Sequence, residues 1–351
     1  MDNNTPRIKR ESKNRIRVDF ERAPLSERLK SKFLNGFFFK KVIFLIFKLV
    51  LLVGVSYVIL YPYITKIFGS FMSPSDFEDV TVVLLSKNPT WDQYKYIILE
   101  NDYLLSLLNT FLISASVALI QTLVCALTAY GLAKFKFKGN NLLFFIVIFT
   151  MMVPQESIQY ALQRYFFRFG TSNPIGYILD ALGIIEGGFV NSLAPLYIMS
   201  VTGLGFKNGL FIFMLRQFFK GVPDELEESA YVDGSSTFRT FFNIILPISV
   251  PMLITVFIFA FAWQWTDEFY ASGTSIFYLA SYWNNEDAIK LISNIARIPE
   301  SLAQSGANVS SMYGVAIRGT GSILIVMPLI IVYLFVQNKI VEGVERSGIV
   351  G

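Results

Sequence analysis

A short segment between two apolar runs, residues 223–251, holds a dense group of carboxylates. Four acidic side chains follow Pro223 in the stretch PDELEESAYVDG: Asp224, Glu225, Glu227 and Glu228. Pro is favoured at the first position of a helix, and acidic side chains in the first turn complement the positive end of the helix dipole. The segment therefore predicts a short acidic helix, whose chemistry suits binding to a basic groove on another protein.

The end of this helix is also visible in the sequence. Asp233-Gly234 is a stop signal, because glycine can take the left-handed conformation that ends a helix. Ser235 or Ser236 then caps a second helix. The first helix has about ten residues, too few for stability in water by itself, so it needs a surface to pack against.

Two small residues, Ser229 and Ala230, lie in the middle of the acidic helix. Their size would let another surface approach the helix backbone closely. A short helix held outside the membrane by two flanking apolar runs could serve as a lever for a cytoplasmic motor.

The residues that are absent exclude several other kinds of chemistry. The chain has no histidine, and Cys125 is its single cysteine, which excludes disulfide frameworks and Cys/His zinc sites. General acid–base catalysis at neutral pH loses its usual side chain, although an enzyme that uses carboxylates alone remains open. No Gly-x-x-x-x-Gly-Lys-Ser/Thr sequence occurs, so the chain has no P-loop of its own for ATP phosphates.

One lysine stands within an apolar run. Lys207 lies about 13 Å of helix from Arg216, roughly at mid-bilayer, and three glycines nearby could break the helix there: Gly203, Gly205 and Gly209. A charge in the membrane core is costly, so we expect Lys207 to face either a translocation path or a buried partner.

Each of the other polar side chains in or near the apolar runs has two possible roles. Four could donate or accept hydrogen bonds with the hydroxyls of a transported solute, or equally with a neighbouring helix: Gln121, Gln155, Gln264 and Asp267. Arg318 lies one to two turns into the last apolar run, where snorkelling to the surface is the simpler explanation.

Composition and apolar runs define the class of the chain. It has 351 residues, of which 53% are hydrophobic and 16% charged, whereas soluble domains keep about a quarter of their residues charged. Six apolar runs are long enough to cross a hydrocarbon core of about 30 Å. We therefore predict an all-α integral membrane protein with six spans, at 42–61, 104–132, 141–162, 191–219, 243–266 and 312–336.

The distribution of basic residues predicts the orientation. Residues 1–41 hold twelve of the thirty Lys and Arg residues and form a basic cytoplasmic segment, and the 134–138 connection carries three more lysines. The six-span transmembrane domain then covers 42–340, with cytoplasmic helices at about 221–240, and 341–351 is a cytoplasmic tail. Of the two long outer segments, 163–190 is apolar enough for an interfacial or re-entrant helix. The other, 267–311, includes AIKLISNIARI, which has the spacing of a helix on the membrane surface.

Several blocks of the sequence resemble one family of transport proteins. Glu228-Ser229-Ala230, Gly234, Ile244 and Leu246-Pro247 have the spacing of the EAA signature of ABC-importer permeases, with Ser229 in place of the second alanine. Asp233 beside the glycine resembles the carbohydrate-importer version. Blocks similar to maltose-type permeases occur in order at NPTWDQYKYII, Leu108–Thr110, 129–139, 216–234, Trp265–Phe269 and 341–351. Residues 1–40 and about 164–178 fall outside the resemblance.

The resemblance implies the architecture of a type I ABC importer and an alternating-access mechanism. The EAA loop would be a coupling helix seated on an ATPase subunit, with Glu228, Ser229, Ala230, Asp233, Gly234, Leu246 and Pro247 as its signature residues. The implied partners are a second and different permease, two copies of a cytoplasmic ATPase that binds ATP and Mg²⁺, an extracellular solute-binding protein and a sugar. The chain itself would be no enzyme, would hold no metal or cofactor, and would lie in a bacterial cytoplasmic membrane without a nucleic-acid partner.

Two other classes of function stay open on the residues alone. A secondary transporter or channel would need no cytoplasmic lever and would usually show ion-coupling residues or repeat symmetry, neither of which is evident. A membrane glycosyl or lipid transferase would need a cluster of catalytic acids or a metal site, and the lack of histidine counts against it.

The basic side chains of Lys207 and Arg318 suggest an acidic oligosaccharide as the transported solute.

Overall fold

The computed structural model describes residues 7–10, 16–19, 36–154, 157–158, 160–162, 164–166, 178, 181, 193–205, 207–267, 290–304 and 311–346. The chain divides into two compact units, Met1–Thr65 and Lys66–Gly351.

The first unit contains a small hairpin and most of the first helix. Strands β1 (Arg7–Arg10) and β2 (Ile16–Asp19) pair antiparallel in the basic segment, which adds two short strands to an otherwise helical prediction. Helix α1 (Gly36–Gly69) exposes large apolar side chains around its whole circumference. A helix that is apolar on every side has the surface of a membrane span.

The regular elements in the described residues of the second unit are all helices. In chain order its helices are α2 (Pro74–Glu78), α3 (Asp92–Leu99), α4 (Tyr103–Lys134), α5 (Asn140–Met152), α6 (Ala194–Val201), α7 (Asn208–Lys220), α8 (Glu225–Val232), α9 (Thr237–Thr240), α10 (Leu246–Ile248), α11 (Val250–Trp265), α12 (Glu300–Gln304) and α13 (Ser311–Arg346). A π-turn, Phe241–Ile245, joins α9 to α10, and a 3₁₀ turn, Ile292–Asn294, precedes α12.

Helix α4 lies at the centre of the second unit. It packs against α7 and α11, while α13 packs on α11 and α5 packs on α7. The core between these helices holds fully buried aliphatic and aromatic side chains, among them Leu215, Phe219, Val256 and Ile317. The centre of the bundle is therefore built from the second, fourth, fifth and sixth apolar runs.

The predicted count of six spans is only partly seen. Within the described part of the chain, three helices are long and apolar enough to cross a membrane, at Phe39–Gly69, Tyr103–Lys134 and Met312–Gly343, and a fourth counts if the bent pair Thr237–Ile248 and Val250–Trp265 is one span. Helix α5 has 13 residues, so it rises only about 20 Å. The fourth apolar run is divided into α6 and α7 by residues 202–207, as the glycines there predict.

A sharp bend marks the entry to α11. The helix axis turns by 80° at Ser249, between Pro247 and Pro251. Proline lacks the N–H that would continue the helical ladder, and the π-turn directly before it shifts the hydrogen-bond pattern by one residue. Ser249 is fully buried and its hydroxyl donates to Ile245 O at 2.5 Å. The Leu246-Pro247 part of the signature therefore forms a fixed corner between the loop and the bundle.

The prediction of a surface helix in AIKLISNIARI is wrong for its described part. Residues 290–299 carry a single 3₁₀ turn, and Ile292 and Ile295 are almost fully buried. Side chains from the start of α4 take the main-chain groups that a helix would use. Thr110 Oγ1 accepts from Ile292 N at 2.8 Å, and Asn101 Nδ2 donates to Ile295 O at 2.8 Å and to Arg297 O at 3.1 Å.

Candidate functional site

The acidic loop begins at an ion pair with the end of α4. Lys134 Nζ donates to Asp224 Oδ1 and to Val222 O, each at 2.6 Å. The Lys134 side chain is only 6% exposed, whereas that of Asp224 is 76% exposed. The hydrogen bond and charge of Lys134, helped by Lys136, lower the pKa of the Asp224 carboxyl below its usual value. The long helix at the centre of the bundle thus holds the first residue of the loop.

Helix α8 starts at Glu225, two residues later than the Pro223 start that the sequence suggests, and Asp224 is its N-cap. Its end is as predicted. Gly234 has a φ of +79°, Ser235 N donates to Ala230 O at 2.9 Å, and Gly234 N donates to Tyr231 O at 3.0 Å. This pair of bonds is the Schellman arrangement that a left-handed glycine closes.

The second cap is also as predicted. Ser236 Oγ accepts from Arg239 N, which makes Ser236 the residue that begins α9. The two caps fix the angle between α8 and the path into α11.

Helix α8 has one face against the chain and one face open. Glu227 and Ala230 are 7% and 5% exposed, and Glu227 lies near the buried Tyr130 hydroxyl of α4. Glu228 and Ser229 are exposed. Ala230 therefore packs on the chain's own helices, and of the two small residues only Ser229 is open to an approaching surface.

Apolar side chains surround the open face. Val232 is 87% exposed, Phe238 67% and Phe242 53%, and Pro247 is exposed at the corner. Asp233 and Gly234 lie between them and are exposed, whereas Leu246 is partly buried. Exposed apolar groups beside carboxylates are typical of a surface that binds another protein. We call residues 224–247 the coupling loop.

The second group of candidate residues lies at the break between α6 and α7. Lys207 has a φ of +67° and is the N-cap of α7. Its Nζ lies 4.3 Å from the centre of the Trp263 ring on α11, which is a cation–π contact. The conformation of the break thus directs Lys207 across to α11.

A cavity of about 1030 Å³ opens beside this break. It is lined by the break itself, including Gly203, Gly205 and Lys207, and by Thr150, Met151 and Asn208 among others. Gln121 of α4 reaches the same place, because a Cβ added at Gly205 would lie 2.7 Å from Gln121 Nε2. We call this space the broken-helix cavity.

The other predicted path residues are more scattered. Gln264 Nε2 donates to Asp267 Oδ2 at 3.4 Å, and both line a separate space of about 20 Å³, enough for one water molecule. Arg318 is exposed on α13 and lines neither space. Gln155 lies outside the described residues. The structure therefore brings together Gln121 and Lys207, and separately Gln264 and Asp267.

Four residues at these places were missed or undervalued by reasoning from sequence. In the sequence, Lys134 indicates only the orientation of the chain. Three lysines in the 134–138 connection and four carboxylates after Pro223 nevertheless favour an ion pair between the two cytoplasmic connections. Tyr130, Asn208 and Trp263 carry no signal in a single sequence, because only the packing of α4, α7 and α11 shows what they touch.

Comparison with known proteins decides the class. Residues 121–346, most of the second unit, match the profile of the family described as binding-protein-dependent transport system inner membrane component. The chain belongs to this family. It is thus a membrane permease component of such a transport system, and the resemblance noted in the EAA-like segment is confirmed.

Named relatives cover nearly the whole permease. It is 25% identical over 315 residues to the galactooligosaccharides transport system permease protein GanQ of Bacillus subtilis, covering 89% of this chain and 98% of GanQ. It is 26% identical over 301 residues to the maltodextrin transport system permease protein MalD of Streptococcus pneumoniae, covering 85% and 92% of the two chains.

One solved structure shows the same fold. The permease matches a chain of a bacterial ABC transporter involved in the import of the acidic polysaccharide alginate, with a TM-score of 0.61 and 21% identity. The match covers 85% of this chain and 97% of the other. At that identity the likeness concerns the fold alone.

Proposed function

We propose that the chain is one permease subunit of an ATP-driven importer that moves an oligosaccharide across the bacterial cytoplasmic membrane by alternating access. The coupling loop carries the proposal. Its helix is anchored to α4 on one side, exposed on the other, and joined through a fixed corner to α11, so a force applied at α8 reaches the bundle.

The partners follow from what this chain lacks and what it exposes. It has no P-loop sequence, so ATP and Mg²⁺ bind to a separate ATPase subunit that docks on the open face of α8. One chain has one coupling loop. A second and different permease with its own loop would complete the pore and engage the second ATPase copy, and an extracellular binding protein would deliver the solute.

The six-span topology is part of the same proposal. In this topology α5 belongs to the third span, and α6 with α7 forms the fourth, broken span. With the basic segment 1–41 in the cytoplasm, six crossings return α13 and its tail to the same side, and they place the coupling loop in the cytoplasm as well.

The choice of an oligosaccharide rests on two observations. Relatives named for galactooligosaccharide and maltodextrin transport align over nearly their whole length. The broken-helix cavity, about 1030 Å³, is lined by the Asn208 amide and by the Tyr165 and Phe166 rings, which suit sugar hydroxyls and the apolar face of a sugar ring.

The test is reconstitution of the complex that forms around the tagged chain in its own membrane, with the binding protein added. We expect uptake of a labelled oligosaccharide into proteoliposomes that requires ATP hydrolysis. Uptake that proceeds equally without ATP, driven by an ion gradient, would assign the chain to secondary transport instead.

A further inference from the structure

The side chain of Asn208 is buried without a hydrogen-bond partner at the wall of the broken-helix cavity. Asn208 is 2% exposed, and neither its Nδ2 nor its Oδ1 meets a partner among the described residues. Leaving a buried amide unsatisfied costs about 1–3 kcal/mol. A group that enters the cavity could supply the missing hydrogen bonds.

A cation lies beside this amide. Lys207 Nζ stacks on Trp263, and no salt bridge joins Lys207 to a carboxylate within the described part of the chain. A lysine at membrane depth is costly even when partly exposed, and a cation–π contact of about 0.5–2 kcal/mol compensates only part of that cost. A negative charge brought by a ligand would compensate the rest.

The helix dipole adds to the same field. Helix α7 has 13 residues and its N-terminus begins at Asn208, so its positive end points towards the break. The first N–H groups are largely used, because Asn208 N donates to Gly205 O and Leu210 N donates to Lys207 O. The dipole therefore contributes a positive electrostatic potential at the site, while hydrogen bonds to a ligand must come from side chains.

A second amide completes the wall. A Cβ at Gly205 would lie 2.7 Å from Gln121 Nε2 and 3.1 Å from Asn208 Nδ2, so both amide nitrogens flank the same glycine. Because glycine has no side chain, this part of the cavity wall stays open at Gly205. The Asn208 amide and Lys207 thus line the same cavity, with the Gln121 amide beside Gly205 at its edge.

We propose that Lys207 and Asn208 bind the carboxylate of an acidic sugar residue as it passes through the broken-helix cavity. This deepens the function proposed above and rests on it. Lys207 supplies the charge, the Asn208 and Gln121 amides supply hydrogen bonds, and Trp263 holds the Lys207 ammonium in place.

The experiment compares acidic and neutral probes in the reconstituted complex. ATP-dependent uptake is measured with trimers of galacturonate, mannuronate and glucuronate, and with galactotriose and maltotriose as uncharged controls. The wild-type complex should transport at least one acidic trimer. Lys207→Met should lower that uptake at least about ten-fold, since a hydrogen bond to a charged group contributes about 1.5–3 kcal/mol, and Lys207→Arg should keep most of it.

Two readouts separate this proposal from the general function and from misfolding. Recovery of the intact complex, with its basal ATP hydrolysis, shows that a Lys207→Met chain still assembles. Asn208→Leu is the second variant, and it should reduce uptake of the acidic trimer while assembly stays normal.

ATP-dependent uptake of neutral trimers alone, or acidic uptake unchanged by Lys207→Met, would overturn the site and leave the importer intact. Failure of every saccharide to enter with ATP would instead overturn the importer, and the site with it.

Discussion

Replacing Gly321 by alanine should destabilise the chain, whereas the same replacement at Gly319 should not. A Cβ at Gly321 would lie 2.6 Å from Ala296 Cα and 2.9 Å from Ala296 Cβ. At Gly319 it would lie 3.5 Å from Lys66 Cγ, an ordinary contact. Both changes improve the helix propensity of α13 equally. The difference in stability between the two variants therefore measures the cost of crowding at Ala296.

The segment that carries Ala296 has little freedom to move away. Its main chain is held by Asn101 and Thr110, which bond to Ile295, Arg297 and Ile292. Overpacking of this kind costs about 1–3 kcal/mol. The thermal midpoint of the purified Gly321→Ala chain should therefore fall at least about 2 °C below that of Gly319→Ala. Equal midpoints would show that residues 290–299 do not lie against α13 as described.

Replacing Gly234 by valine should uncouple ATP hydrolysis from transport. Gly234 has a φ of +79°, which costs a residue with a side chain about 1–2 kcal/mol, while no atom lies within 4 Å of an added Cβ. The change therefore acts on backbone conformation alone. Since α8 has eight residues and little stability of its own, uptake should fall by roughly five- to thirty-fold.

The matched control is Gly234→Asn, because asparagine tolerates the left-handed conformation. We expect it to keep most of the uptake that valine removes, with the amount of assembled complex equal in both. If valine and asparagine gave the same uptake, the Schellman turn would have no part in coupling.

Reasoning from sequence succeeded where a local signal sufficed. The left-handed Gly234, the Ser236 cap and the break beside Lys207 each follow from the backbone preferences of one or two residues. Long apolar runs likewise predicted α1, α4 and α13.

Reasoning from sequence failed where side chains from a distant segment bond to the main-chain groups that a helix would use. The apolar spacing of 289–296 suggested a helix, but hydrogen bonds from Asn101, Asn109 and Thr110, about 180 residues earlier, hold part of it in another conformation. The inward face of Ala230 and the contact of Lys207 with Trp263 depend on tertiary packing in the same way. No pattern within a single sequence reports such contacts.

The central claim is that an ATPase subunit binds the open face of α8. Cys125 is the single cysteine of the chain and is fully buried, so a Ser229→Cys variant carries one accessible thiol on that face. Lys95→Cys, on the exposed surface of α3, is the control. A thiol-directed cross-linker applied to native membranes should join position 229, and not position 95, to a P-loop ATPase identified by mass spectrometry. Capture of no P-loop protein at 229, from membranes that still import the solute, would contradict the account.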